Sequence, residues 1–434
     1  MELHTLSPAD LCELLARHGI RRFFLVWDEE AGRIQASHPL LEPLARLLEE
    51  DQRDFDRHEG VFVQVAPRTG VLQSAFVHRT CRGQGAGGTR YWRYDTVEDF
   101  LRDGLRLARG MTHKNALAGL WWGGGKGVMA RGTGYVTDPD VRRLMYEEYG
   151  AFITSLQGCY VTAEDVGTSV EDMAAIFRRT RFTTCIPPAL GGSGNPSGPT
   201  ALGVVCGMEA ALRHLGRGTL AGKTVAVQGL GHVGEPLVGF LAERGVRKVV
   251  GSDIDPSRRD LAGRFPGLEL EVRIVERGDN SVLAEPADIV APCATGGILN
   301  PRTIPAIQAP IVCGAANNQL EDPERDDAIL QERGILYLPD FLVNRMGIVN
   351  CADEQYGYLE DDPRIESHLG DTWENSVFNL SLKVLEEAQR SGRTPARVAL
   401  DLAEERSREL HPIWGHRGAA IIRSLVRTGW ADAG

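Results

Sequence analysis

"TVAVQGLGHVGEPLVGFLAERGVRKVVGSDID", residues 224–255, is the stretch on which the reading of the whole chain turns. An apolar strand comes first. Gly229, Gly231 and Gly234 follow it at G-x-G-x-x-G spacing where a helix opens, and Asp253 ends the next apolar strand, nineteen residues past the last glycine. Each part has a mechanical task. The glycines permit a tight turn that brings backbone N–H groups against a pyrophosphate, the helix N-terminus favours the anion, and the acid at the second strand end accepts from ribose hydroxyls. Asp253 would repel a 2′-phosphate, so NAD is the expected cofactor. Arg258 and Arg259 follow closely enough to reach such a phosphate if the loop bends that way, which leaves NADP open.

Outward from this unit, apolar strands alternate with helical segments: "TVAVQ" (224–228), "RKVVGSD" (247–253), "ADIVAPCA" (287–294), "PIVCGAA" (310–316) and "GILYLPD" (334–340). Fully apolar strands separated by helices imply a parallel sheet covered on both faces. Upstream, the turn-rich "ALGGSGNPSGP" (189–199) marks a hinge, and beyond residue 376 the chain reads as helix again. The N-terminal half reads differently. "GVFVQVAPRTGVLQSAFVH" (60–78) alternates apolar and polar residues about Arg68-Thr69-Gly70, a β-hairpin. In "DTVEDFLRDGLRLARGM" (95–111), Thr96 and Asp99 can form a capping box, and Val97, Phe100, Leu101, Leu105 and Ala108 share one helical face. The helix leads to Lys114; Gly123-Gly124-Gly125 then reads as a flexible turn that folds the chain back so that Lys114 and Lys126 converge on one small ligand. A buried Lys126 beside another cation would have a lowered pKa, as a base working near neutrality requires.

The expected organisation is α/β: an N-terminal α/β substrate and oligomerisation domain (60–190) and a Rossmann-type dinucleotide-binding domain (191–380), with a cleft between them. Residues 381–434 are helices returning towards the first domain, and residues 1–59 form an extension without assigned chemistry, whose "LLEPLARLLEEDQRDF" could set oligomer contacts. The 434 residues carry 48 basic and 59 acidic side chains, a net charge of -11 that argues against nucleic acid as a partner. Residues 1–20 lack a secretory signal, and no run approaches membrane-spanning length, so a cytoplasmic location is expected. The eight cysteines are scattered without Cys-x-x-Cys, which favours reduced thiols, and no metal is expected.

"GAGGTRYW" (85–92), "GMTHKNALAGLWWGGGKGV" (110–128), "YVTAEDVGTS" (160–169), "GGSGNPSGPTALGV" (191–204), "CATGGILNPRTIP" (293–305), "GAANNQL" (314–320) and "VNCADE" (349–354) together resemble the glutamate, leucine, phenylalanine and valine dehydrogenases, the leucine branch most of all. The resemblance implies reversible oxidative deamination of an L-amino acid to a 2-oxo acid and ammonia, by a homo-oligomer. It implies that Lys114 binds the substrate carboxylate, that Lys126 is the base, and that Asp165 shuttles protons and holds the substrate ammonium. Gly87, Met111 and Asn318 would line the substrate. His232, Val233, Thr200, Cys293, Ala294 and Asn318 would join Gly229, Gly231, Gly234 and Asp253 around the cofactor.

The pocket for the substrate side chain falls by the same matching on Ala86, Ala163, Ile348 and Cys351. None is charged. A glutamate γ-carboxylate would be buried there without a partner, so an apolar substrate is expected: branched aliphatic first, aromatic (phenylalanine or tryptophan) second. Two departures stand out. Asn344-Arg345-Met346-Gly347 replaces the family's Asn-Ala-Gly-Gly, and Asn317 stands where Asp is common. Arg345 and Met346 either crowd the nicotinamide or point away from it. They also motivate a rival reading, a non-catalytic relative that binds cofactor or amino acid without turning it over.

Overall fold

The computed structural model describes residues 2–134, 136–357, 359 and 361–432. The chain divides into two compact units. One holds Met1–Asn195, Cys351–Tyr358 and Glu404–Gly434; the other holds Pro196–Asn350 and Leu359–Ala403.

Among the described residues, the first unit is built on an eight-stranded sheet. Its strands are β1 (Arg22–Asp28), β2 (Arg33–Ala36), β3 (Gly60–Val65), β4 (Leu72–Arg79), β5 (Gly85–Ala86), β6 (Thr89–Trp92), β7 (Gly123–Ala130) and β8 (Tyr160–Val161). The order is β2-β1-β3-β4-β7-β5-β8, with β6 also paired to β7. β3 and β4 form the expected hairpin, turning at Gly70 with φ 67°. Glu148 holds that turn by accepting from the Arg68 N–H at 2.7 Å and the Thr69 hydroxyl at 2.6 Å. The helix Val97–Leu117 starts where the sequence places it. Thr96 accepts from the Asp99 N–H at 3.1 Å, while Asp99 takes the Thr96 hydroxyl rather than closing a full box.

The second unit has a six-stranded sheet among the described residues. It comprises β9 (Thr224–Gln228), β10 (Lys248–Asp253), β11 (Glu269–Ile274), β12 (Ile289–Pro292), β13 (Ile311–Val312) and β14 (Leu336–Tyr337). Every pairing is parallel and the order is β11-β10-β9-β12-β13-β14, the doubly wound arrangement whose switch point lies between β9 and β12. Five of these strands were legible as apolar runs; β11, "ELEVRI", was not, because an edge strand tolerates alternating charges.

The observed division differs from the expected one in three places. Residues 1–59 are no separate extension: β1 pairs antiparallel with β3, and Leu11, Leu15, Phe23, Leu25, Leu44 and Leu48 share one core with Phe76, Phe100, Leu105 and Val128. Residues 351–358 belong to the first unit, inside a span assigned wholly to the second. Only residues 404–434 of the C-terminal segment join the first unit, where Trp430 meets Phe62 edge-on at 5.2 Å. No helix of the described residues is long and apolar enough to cross a membrane.

Candidate active site

The triple glycine is not a turn. Gly123, Gly124 and Gly125 lie inside β7, buried, and none has a positive φ; the chain reverses earlier, at Gly119 with φ 76°. Glycine is needed here for close approach. A Cβ on Gly123 would stand 2.1 Å from the Arg79 carbonyl oxygen, on Gly124 1.9 Å from Thr112 Oγ1, and on Gly127 2.2 Å from Thr89 Oγ1 and from the Tyr149 hydroxyl. These contacts press the helix Val97–Leu117 and the β5–β6 segment onto β7. Asn115 ties the helix end down, donating to the Gly123 carbonyl at 2.6 Å and the Ala86 carbonyl at 3.3 Å.

Lys126 sits in the middle of β7, 3% exposed, with its Nζ 2.7 Å from Asp165 Oδ2. Arg90 on β6 donates to the same carboxylate oxygen at 3.3 Å through Nε, and its Nη1 bridges to Asp103 at 3.0 and 3.1 Å. The Tyr94 hydroxyl closes the chain on Asp103. Arg90 was not singled out from the sequence, although it lies inside the quoted "GAGGTRYW". Burial pushes the Asp165 carboxyl up, but Lys126 and Arg90 outweigh it and hold it well below the usual carboxylate range. Burial lowers the Lys126 ammonium; Asp165 opposes this and Arg90 assists it. The neighbouring Glu164 carboxyl is pushed up to about 7, first by burial and then by Glu171.

Lys114 occupies the last turn of its helix and is buried, one turn beyond Met111. Gly87 is pinned between β7 and that helix, since a Cβ there would stand 2.0 Å from the Gly125 carbonyl oxygen and 2.8 Å from Met111 Cγ. Gly88 meets Asp165 in the same way, at 2.8 Å from its Cβ. Ala86, Ala163 and Cys351 are buried in the first unit, Cys351 Sγ lying 3.1 Å from Cys185 Sγ. Ile348 is buried in the second unit. Glu354, also unmarked in the sequence reading, collects the Cys185 N–H at 2.8 Å, the Ser193 N–H at 2.9 Å and the Ser193 hydroxyl at 2.7 Å.

In the second unit Gly229, Gly231 and Gly234 shape the turn between β9 and the following helix. Gly229 is left-handed at φ 92°; a Cβ on Gly234 would lie 1.9 Å from the Gly229 carbonyl oxygen; Gly231 faces open space. His232 and Val233 complete the turn before the helix Gly234–Glu243. Asp253 reaches the turn itself, accepting the Leu230 N–H at 2.7 Å. Arg258 is engaged with Glu235 at 2.8 Å, whereas Arg259 is exposed. At the same sheet edge, Cys293 and Ala294 follow β12, and Asn318 follows β13 with φ 53°, its carbonyl accepting the Gly297 N–H at 2.8 Å and its own N–H donating to Asp340 at 3.0 Å. Thr200 lies in the first turn of the helix Ser197–His214, against Gly347.

Arg345 and Met346 both turn into the interior of the second unit. Arg345 is fully buried and donates to the Asn375 carbonyl, and Met346 packs on Gly203. Asn344 donates to Asn317 Oδ1 at 3.0 Å and to the Ala315 carbonyl at 2.9 Å, so a neutral Asn317 serves that contact without an added charge.

A dinucleotide cradle in one unit and a buried lysine–aspartate–arginine cluster in the other are the parts of an amine-oxidising dehydrogenase. The profile of the Glu/Leu/Phe/Val dehydrogenase dimerisation domain matches residues 64–182, and that of the Glutamate/Leucine/Phenylalanine/Valine dehydrogenases matches 191–257 and 260–403. The chain is 41% identical to the leucine dehydrogenase of Geobacillus stearothermophilus, covering 81% of this chain and 91% of that one. It is 40% identical to the valine dehydrogenase of Streptomyces coelicolor, over 83% and 94% respectively. The crystal structure of L-tryptophan dehydrogenase from Nostoc punctiforme superposes with a TM-score of 0.63 at 34% identity, covering 81% of this chain and 96% of that one. The chain belongs to the glutamate/leucine/phenylalanine/valine dehydrogenase family.

Proposed function

We propose that this protein catalyses the NAD-dependent oxidative deamination of an apolar, branched aliphatic L-amino acid to its 2-oxo acid and ammonia, and the reverse reaction. The observation that carries the proposal is the buried Lys126–Asp165 pair at 2.7 Å, a base and a carboxylate in direct contact. Lys114 binds the substrate carboxylate. Lys126, its ammonium lowered by burial, takes a proton from the substrate amine and later activates water against the imine carbon. Asp165, kept anionic by Lys126 and Arg90, holds the substrate ammonium and passes protons with Lys126. Arg90 is a positioning residue that fixes the carboxylate from behind.

The residues of the second unit fit NAD. Gly231 leaves room over the turn, Gly229 and Gly234 allow it to close, and the Asp253 carboxylate at the end of β10 would accept from ribose hydroxyls and repel a 2′-phosphate. When bound, the nicotinamide supplies the hydride acceptor. Arg258, paired with Glu235, is not poised for a phosphate, which also favours NAD over NADP. Ala86, Ala163 and Cys351, buried in the first unit, offer no charge to a substrate side chain. The small Ala86 also leaves space, so an aromatic amino acid is the second reading. We propose a homo-oligomer assembled through the first unit.

The test is NADH formation by the purified chain with leucine, valine, isoleucine, phenylalanine, tryptophan and glutamate, NADP being run in parallel. Turnover of an aliphatic substrate with NAD is expected. Silence across the panel from folded protein that binds NADH would support the non-catalytic reading, and a preference for glutamate or NADP would overturn the pocket or cofactor assignment.

A further inference from the structure

Three side chains that the reaction does not use meet where the C-terminal segment returns to the first unit. Glu59 precedes β3, Cys81 follows β4, and His416 stands before the helix Arg417–Arg427. His416 Nε2 lies 2.9 Å from Glu59 Oε1 and 3.9 Å from Cys81 Sγ, and the three ligand atoms all lie within 4.8 Å of one another. Donors on a tetrahedral zinc ion, about 2.0–2.3 Å from the metal, stand roughly 3–4 Å apart. The spacing therefore needs only a small adjustment to admit an ion.

The frame around these atoms is rigid. Glu59 accepts the Thr80 N–H at 2.7 Å and the Thr80 hydroxyl; the His411 N–H donates to the Cys81 carbonyl at 2.9 Å. Gly418 lies against Thr80 so closely that a Cβ there would stand 2.3 Å from Thr80 Oγ1. Glu59 is mostly buried, while the His416 side chain is 36% exposed, so an ion has a way in and one coordination position remains for water. Cys81 Sγ and Glu59 Oε1 both approach the same imidazole nitrogen, so the three donors converge on one point rather than pairing off.

We propose that Glu59, Cys81 and His416 form a binding site for a borderline-soft divalent cation of the zinc type. A thiolate with an imidazole selects zinc or cobalt over magnesium or calcium, and binding displaces the protons of Cys81 and His416. The ion clips residues 404–434 onto the end of β4, joining positions 335 apart in the chain. Such a separation is invisible to any reading of cysteine and histidine spacing, which is why the sequence raised no expectation of a metal.

Cobalt titration of the reduced, chelator-treated full chain tests this without recourse to catalysis. A thiolate-to-cobalt charge-transfer band in the near ultraviolet, saturating at one equivalent and bleached by zinc, is expected. Cys81→Ser should lack the band, and His416→Gln should bind cobalt at least about tenfold more weakly. No band in the wild-type chain, or a band that persists in Cys81→Ser, overturns the site. Should Cys81→Ser fail to fold, retention of the band at full affinity in His416→Gln overturns it equally.

Discussion

Lys126 is a charged group that the fold buries against another charge, and such an arrangement is costly unless close contacts and hydrogen bonds repay the lost hydration. The second cation, Arg90, makes sense of it: with Arg90 on the same carboxylate, Asp165 stays anionic while Lys126 is eased towards its neutral form. Replacing Lys126 by Ala should therefore cut amino-acid turnover by about 10²- to 10⁴-fold while NADH binding, read by its fluorescence, is retained. Loss of NADH binding in that variant would count against the assigned role. Glu164 gives a separate handle. Its carboxyl rises from 4.5 to about 7, so its contribution to stability is full below about 4.5 and is lost as pH climbs through about 7. Glu164→Gln should gain on the wild type in urea midpoint over that window; an equal offset at every pH would remove the idea. Lys126 and Asp165, which meet in the fold, were marked by the motifs. Arg90 and Glu354 were not, because an arginine in a strand and a glutamate in a helix carry no local mark of the partner they will meet.

β7 is the element on which the site depends. Its glycines read locally as a flexible turn, since glycine adopts left-handed backbone as readily as right-handed. What decides the matter is what each one faces: the Arg79 carbonyl, Thr112, Tyr160, then Thr89 and Tyr149 across the strand. Those contacts set how far the Lys114 helix and the Asp165 loop stand from Lys126. Gly127→Ala should lower the thermal midpoint by the equivalent of about 1–3 kcal/mol and reduce turnover with it. Gly134→Ala, with nothing within 4 Å of the new methyl, serves as the control and should change neither. A midpoint for Gly127→Ala equal to that of the control would show that the close packing at β7 is not needed.

At the scale of the whole molecule, the first 59 residues are structural. They add β1 and β2 to the sheet beyond β3 and supply one side of its core. Removing residues 1–59 would expose the β3 edge together with Val61, Val63 and Leu72. The truncated chain is expected to be insoluble or to lose its cooperative thermal transition. A soluble, active truncation with unchanged melting would show that the segment is dispensable. That these residues belong to the first unit rather than forming a separate extension follows from the β1–β3 pairing, a non-local contact that alternation within each strand cannot announce.

The dinucleotide unit was determined by the sequence alone, because every part of it is local: strand, glycine turn, helix, strand and acid lie within thirty-two consecutive residues. The class of chemistry was determined there too, through ordered motifs that keep Lys114, Lys126 and Asp165 at recognisable places. The tertiary structure decided how those groups are held. That the glycines are a packed strand, that Arg90 backs the carboxylate, that Arg345 and Met346 turn inward, and that residues 404–434 close on Glu59 and Cys81 are all consequences of side chains meeting across long stretches of chain. Their energies come from burial and close contact, and neither quantity exists until the chain has folded.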